Sequence, residues 1–285
     1  MEDRVDWEQL PAEPRNEAEG RTGKVRTAER VSTGLNNPAA FVITTARNGR
    51  LFFKGVRLDD PDSAEAMRTE EGINATVAGV SPTIRHSFKA AGWHCLAFVH
   101  IDGRHIDLSP GTKDLGAPAF VLNRMQHFTG DDKNLRNANL AIPRLVDRFT
   151  GFLNDGDADL LGGSSLLHTD TNPHNTMIGT PGGDAYVVDW AMPALGPAWV
   201  DMANTAVRLM EEGRSTDDAV AWLNAFPAWQ AADPKAVEAY VGATCRQWTA
   251  RIGEKGAKPS NDRFRQSLPA SRVVQDPGRG GEHPR

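Results

Sequence analysis

The 285-residue sequence predicts an α+β fold, with a strand-rich first part followed by a mainly helical remainder. Three observations carry this. Between Lys24 and His100, short β-rich runs alternate with turn chemistry such as Arg47-Asn48-Gly49. From Leu115 onward, apolar residues recur mostly at helical spacing. Within 166–190, two short apolar runs flank a polar loop, and Thr180-Pro181-Gly182-Gly183-Asp184 joins two strands.

Taken in order, Trp7 to Glu19 forms a short amphipathic helix, with Asp6 as its cap and Gly20 as its stop. Lys24 to Val31 is a strand, Ser32 to Asn37 a small polar turn, and Ala39 to Thr45 and Leu51 to Val56 a hairpin around Asn48-Gly49. Alternation places Lys54 on the face of Phe52 and Val56, which is otherwise apolar. On its own this would be a solvated lysine. Pro61 to Gly79 reads as a helix capped by Asp62 or Ser63 and carrying Glu70 and Glu71. Two more strands follow, Pro82 to Phe88 and Gly92 to His100. Helices are expected at 115–128, 142–154, 198–212, 215–224 and 233–251, with Trp222, Trp229, Tyr240 and Trp248 as core. The Asp155 to Asp159 stretch lacks the far-end Glu of a calcium loop and reads as a solvated acidic loop. From Gly253 the chain turns to Gly, Pro, Arg and Ser, so a partly mobile tail is expected over about 254–285.

The stretch richest in chemistry is His168-Thr169-Asp170 with Asn175 and Asp189. Asp170 and Asn175 are five apart, the spacing of a kinase catalytic loop, H-x-D-x-x-x-x-N, and Asp189 stands where such enzymes keep a metal-binding Asp. Phosphoryl transfer needs these groups. One carboxylate takes the acceptor hydroxyl's proton, while an amide oxygen and a second carboxylate hold Mg²⁺ on the nucleotide phosphates.

The run Val188-Asp189-Trp190 through Gly196 to Asp201-Met202-Ala203 resembles the aminoglycoside phosphotransferase family, whose pattern is roughly I-D-W-x-x-x-x-x-G-x-x-x-x-D-L-A. The resemblance covers Trp7 to about Arg251 and implies a bilobal protein-kinase-like fold: a nucleotide-binding lobe over 1–99 and a helical catalytic and acceptor-binding lobe over 100–285. It implies ATP and Mg²⁺ as cofactors, Asp170 as catalytic base with His168 bracing the loop, and Asn175 and Asp189 as metal ligands. Lys54 becomes the phosphate-binding strand lysine, oriented by Glu70, whose spacing to Asn74 fits the family, or by its neighbour Glu71. Ser32, Thr33 and Gly34 occupy the position of the loop over the phosphates, although without a G-x-G-x-x-G. Phe98, Val99 and His100 fall in the linker whose backbone would bind adenine. Asp201 would anchor the catalytic loop, or simply cap a helix.

Composition narrows the partners. Hydrophobic residues make up 39% and charged residues 24%, an ordinary globular balance. A net charge of −5 disfavours nucleic acid as the main partner. Cys95 and Cys245 offer neither a disulfide framework nor a zinc pattern. No apolar run reaches membrane-spanning length and the first residues lack a signal peptide's apolar core, so a cytoplasmic enzyme without membrane association is expected. The expected partner is a small-molecule hydroxyl acceptor, with an aminoglycoside or related antibiotic first; Asp155, Asp157, Glu211, Glu212, Asp217 and Asp218 either line an acidic pocket for it or keep the surface soluble. The alternatives are a neutral sugar, nucleoside or amino-alcohol kinase, or a nucleotide-binding pseudokinase. Oligomeric state is not legible in the sequence.

Overall fold

A β-rich first part feeding a helical remainder is what the computed structural model of the chain shows, over residues 4–31 and 38–268. In chain order the elements are α1 (Ala12–Thr22), β1 (Val25–Arg30), β2 (Ala39–Thr45), β3 (Gly49–Arg57), α2 (Pro61–Ile73), β4 (Ile84–Ala90), β5 (Trp93–Val99) and β6 (Gly103–His105). There follow α3 (Gly116–Met125), α4 (Lys133–Asn137), α5 (Leu145–Arg148), α6 (Asp157–Leu160), β7 (Ser165–Leu167), β8 (Thr176–Gly179), β9 (Ala185–Val187) and β10 (Ala194–Gly196). The last helices are α7 (Val200–Glu211), α8 (Thr216–Leu223), α9 (Pro227–Gln230) and α10 (Pro234–Ser267).

The chain gathers into two compact units, each drawn from three separate stretches of sequence. The first comprises 1–106, 131–141 and 173–192; the second comprises 107–130, 142–172 and 193–285. Strand pairing gives the reason: β6 pairs β8, β8 pairs β9, and Val187 donates its N–H to the Val80 carbonyl at 2.7 Å. That ladder takes the 173–192 stretch into the first unit.

In the first unit, five antiparallel strands run β1-β2-β3-β5-β4. The sheet has two apolar faces because its central strands alternate. Phe41, Ile43, Leu51 and Phe53 pack with Trp7 and Leu10, where Trp7 meets Phe41 and Phe53 edge-on at 5.6 and 5.3 Å. Val56, Leu96 and Phe98 pack with Met67 of α2, with Phe52 against them. Asn74 fastens the end of α2: it donates to the Pro82 carbonyl at 2.8 Å and accepts from Ile84 N–H at 2.9 Å.

The start of the chain differs from expectation. Trp7–Gln9 is a 3₁₀ turn rather than the first turn of a longer helix, and Pro11 stands as the N-cap of α1. The helix runs through Gly20 and stops at Gly23, whose φ of 80° needs a residue without a Cβ. Helix α2 is capped by Asp60, which accepts Ser63 N–H at 3.2 Å, and it ends at Ile73 rather than Gly79.

In the second unit β7 pairs β10. Gly163 lies so close to this ladder that a Cβ there would stand 2.4 Å from the Gly196 carbonyl oxygen. Around α7 and α10, Trp199 contacts Trp229 and Tyr240 edge-on at 5.8 and 5.5 Å, while Trp222 and Trp248 are only half-buried. The 142–154 stretch holds only the single turn α5. Residues 254–267, expected within the mobile tail, are helical. Helix α10 breaks at Gly253, and the segment beyond packs back through buried Ala257, Phe264 and Leu268. Asn261 locks that return, donating to the Cys245 carbonyl at 3.2 Å and to Thr249 Oγ1 at 3.0 Å.

Candidate active site

The first unit assembles a charged cluster on the α2 side of its sheet. Lys54 Nζ lies 2.6 Å from Glu70 Oε2 and 2.7 Å from Asp189 Oδ1. Lys54 and Glu70 are each 5% exposed, so the cluster is paid for by pairing. Burial alone would pull the ammonium down, but the Glu70 and Asp189 charges and hydrogen bonds outweigh it and hold the lysine above its ordinary value. Glu71 turns elsewhere, with Oε2 3.1 Å from His94 Nε2. The close His94 ring holds the Glu71 carboxyl below the ordinary glutamate range, against its partial burial. Two adjacent carboxylates of α2 thus reach two adjacent strands, since Val56 of β3 is paired with His94 of β5.

The β8–β9 hairpin supplies the other groups. Thr176 pairs Val187, and Val188 N–H bonds to the Asn175 carbonyl at 2.9 Å, which sets Asn175 beside the stretch carrying Asp189. Asp189 has a left-handed backbone, with φ 65°. Lys54, Glu70, Asn175 and Asp189 all line one cavity of about 250 Å³, together with Phe98, Val99 and His100. Ser32, Thr33 and Gly34 lie outside the described residues. Ala40, Val42 and Met177 line the same cavity and were not singled out in the sequence. The signal for two of them was there: Ala40 is the cross-strand partner of Lys54, and Val42 that of Phe52.

His168 and Asp170 belong to the second unit, on the loop leaving β7. Asp201 of α7 accepts His168 N–H at 2.7 Å and Thr169 N–H at 2.9 Å. Trp199 occupies the N-cap of α7, so the Asp201 side chain serves the loop rather than its own helix. Burial pushes the Asp201 carboxyl up, opposed by the His168 charge and these two backbone donors. Asn172 Nδ2 donates to Asp170 Oδ1 at 2.9 Å. Thr169, between the two named residues, has φ 68°. The 155–159 acidic loop is only partly solvated: Asp157 is buried, accepts Asn154 N–H at 2.7 Å and meets Arg246 at 3.5 Å.

Residues 108–240 match the model of the phosphotransferase enzyme family, APH. Three solved structures share the fold over most of their length. One is the GDP complex of an aminoglycoside 2'-phosphotransferase variant, with 12% identity, 88% of this chain and 93% of that chain covered, and a TM-score of 0.56. A choline/ethanolamine kinase family protein from Mesorhizobium loti follows at 14% identity, 92% and 95% coverage and a TM-score of 0.52. A macrolide 2'-phosphotransferase from Brachybacterium faecium has 13% identity, 88% and 96% coverage and a TM-score of 0.51. No curated protein matches the sequence. Residues 108–240 thus carry the sequence of the APH phosphotransferase family, in a chain whose fold is shared with these solved kinases and phosphotransferases.

Proposed function

We propose that the protein transfers the γ-phosphoryl group of ATP to a hydroxyl of a small molecule, with an aminoglycoside or related antibiotic as the first candidate. The observation that carries the nucleotide half is the cavity holding Lys54, Glu70, Asn175 and Asp189 together. A buried lysine clamped by Glu70 is a fixed positive charge for phosphate oxygens. Asn175 and Asp189 offer the hard oxygen donors that suit Mg²⁺. Among the described residues no group of three or more His, Cys, Asp or Glu could hold a metal, so the ion would complete its shell with phosphate and water oxygens. Bound there, Mg²⁺ would neutralise phosphate charge. In the reaction the bond from the γ-phosphorus to its bridging oxygen breaks, a bond to the acceptor oxygen forms, and the hydroxyl proton goes to the Asp170 carboxylate. Asp170 then loses that proton to solvent before the next turnover. Such an enzyme works where ATP is, in the cytoplasm; no helix among the described residues is long and apolar enough to cross a membrane.

The acceptor half rests on the family and on the names of its structural neighbours, which include aminoglycoside and macrolide phosphotransferases. Acidic charge adds little to it. Glu211 pairs with Arg208 at 2.5 Å and Arg263 at 3.6 Å, and Asp157 with Arg246. The test therefore includes neutral acceptors: ADP or GDP release from ATP and GTP across aminoglycosides, macrolides, nucleosides, amino alcohols and sugars, with the product's mass checked for one added phosphoryl group. Modification of neutral acceptors alone would overturn the drug reading and leave the kinase intact. Nucleotide binding without turnover on any acceptor would favour the pseudokinase.

A further inference from the structure

The residue before Asp170 is held in a conformation that its side chain resists. Thr169 has φ 68°, in the left-handed region, where a β-branched residue is an outlier. Strain of this kind persists only when its surroundings over-determine it. Two groups do so here. From the backbone side, Asp201 Oδ1 accepts Thr169 N–H at 2.9 Å. From the side-chain side, Arg148 Nη1 donates to Thr169 Oγ1 at 2.8 Å.

Arg148 is itself fixed. Its Nη2 donates to the Pro193 carbonyl at 2.6 Å, and its own carbonyl accepts from Gln247 Nε2 at 2.7 Å. It is half-buried at the end of α5, where its charge also faces Asp201 and Tyr240. A planar guanidinium bridging a hydroxyl and a carbonyl fixes direction as well as distance. A lysine, as a single flexible point charge, would not.

We propose that Arg148 is a positioning residue for phosphoryl transfer: by gripping the Thr169 hydroxyl it keeps the loop left-handed at 169 and so sets how the next residue, Asp170, presents its carboxylate. This rests on the reading of Asp170 as the base. Without the grip, relaxation of Thr169 toward negative φ would rotate the peptide joining it to Asp170.

The test uses Arg148→Met, Thr169→Val and Thr169→Gly in the full chain, with MgATP and the best acceptor from the panel above. Arg148→Met should lower kcat about tenfold or more while the nucleotide KM changes less than about threefold. Thr169→Val, nearly isosteric but without the hydroxyl, should reproduce that loss, and the Arg148→Met/Thr169→Val double variant should fall no more than about twofold further. Adding Thr169→Gly to Arg148→Met should raise kcat at least about threefold, because glycine adopts positive φ without a grip. Melting temperatures should show the same non-additivity, and they read the grip whether or not an acceptor is found. Arg148→Met with kcat within about twofold of wild type, or additive effects in both readouts, would overturn the proposal. So would coupling in melting temperature with none in kcat, since Arg148 would then be a brace alone. An Asp170→Asn variant separates the two readings: if it turns over like wild type, the base assignment fails and takes the positioning role with it. If it is inactive while the Arg148 cycle is additive, only the Arg148 proposal fails.

Discussion

Asp170 stands or falls on a one-atom change. In Asp170→Asn an amide replaces the carboxylate, so it cannot accept the acceptor's proton, while Lys54, Glu70, Asn175 and Asp189 keep their cavity. Turnover should drop by at least about a hundredfold with nucleotide affinity nearly unchanged, measured by ADP release and by calorimetric binding. Asp189→Ala should act on the other side of that split. It removes a proposed metal ligand and one of the two carboxylates on Lys54, so the Mg²⁺ dependence of nucleotide affinity should flatten. An unchanged Mg²⁺ titration would mean the ligand set is wrong. The sequence points to these residues through chemical spacing: Asp170 and Asn175 lie five positions apart, and Asp189 precedes a Trp. The choice between Glu70 and Glu71 was not legible. Both sit on one helix a single residue apart, and Glu71 meets His94 on a neighbouring strand while Glu70 meets the lysine.

At the scale of elements, α2 depends on both of its carboxylates. The His94 contact depresses the Glu71 pKa, so its stabilisation is fully present above the unfolded glutamate value, and is lost as pH falls through the lower folded value. Glu71→Gln should therefore lower the melting temperature at neutral pH, and the difference from wild type should shrink as pH falls below about 4.5. A gap that stays constant down to acid pH would sink the linkage. The strands were readable from alternation and Asn-Gly, and the hairpin at 180–184 from its turn residues. Helix ends were not. Gly20 lies inside α1 because its neighbours Ala18 and Thr22 are buried there and keep the helix docked. Gly253 breaks α10 but does not end it, since Ala257 and Phe264 lie beyond it with a core to meet. Tertiary packing overrode local composition in both places.

For the molecule as a whole, the organising feature is two compact units, each assembled from separated stretches of chain. A strand-rich unit and a helical unit exist, but the 173–192 hairpin and the 131–141 segment join the first by long-range pairing and packing that no local pattern announces. The acceptor's charge is a property at this scale too. If the true acceptor is polycationic, its KM should rise with salt, because exposed charge pairs are screened over about 8–10 Å near physiological ionic strength. A KM indifferent to salt between low and near-molar concentrations would point to a neutral acceptor.

The fold-back of the last helical segment places a built-in chemical reporter in the second unit. Cys245 is 2% exposed, with its carbonyl taken by Asn261 and its sulfur 3.8 Å from the Asn261 carbonyl. Burial also pushes the thiol up, away from the reactive thiolate. A disulfide-exchange dye should therefore label this position at the rate at which residues 254–268 lift away, and Asn261→Ala should speed that labelling before any change in the global melting temperature. Local opening of the helical unit becomes something to be timed with a colorimetric reagent, in a chain whose only other cysteine, Cys95, is buried in the strand-rich unit.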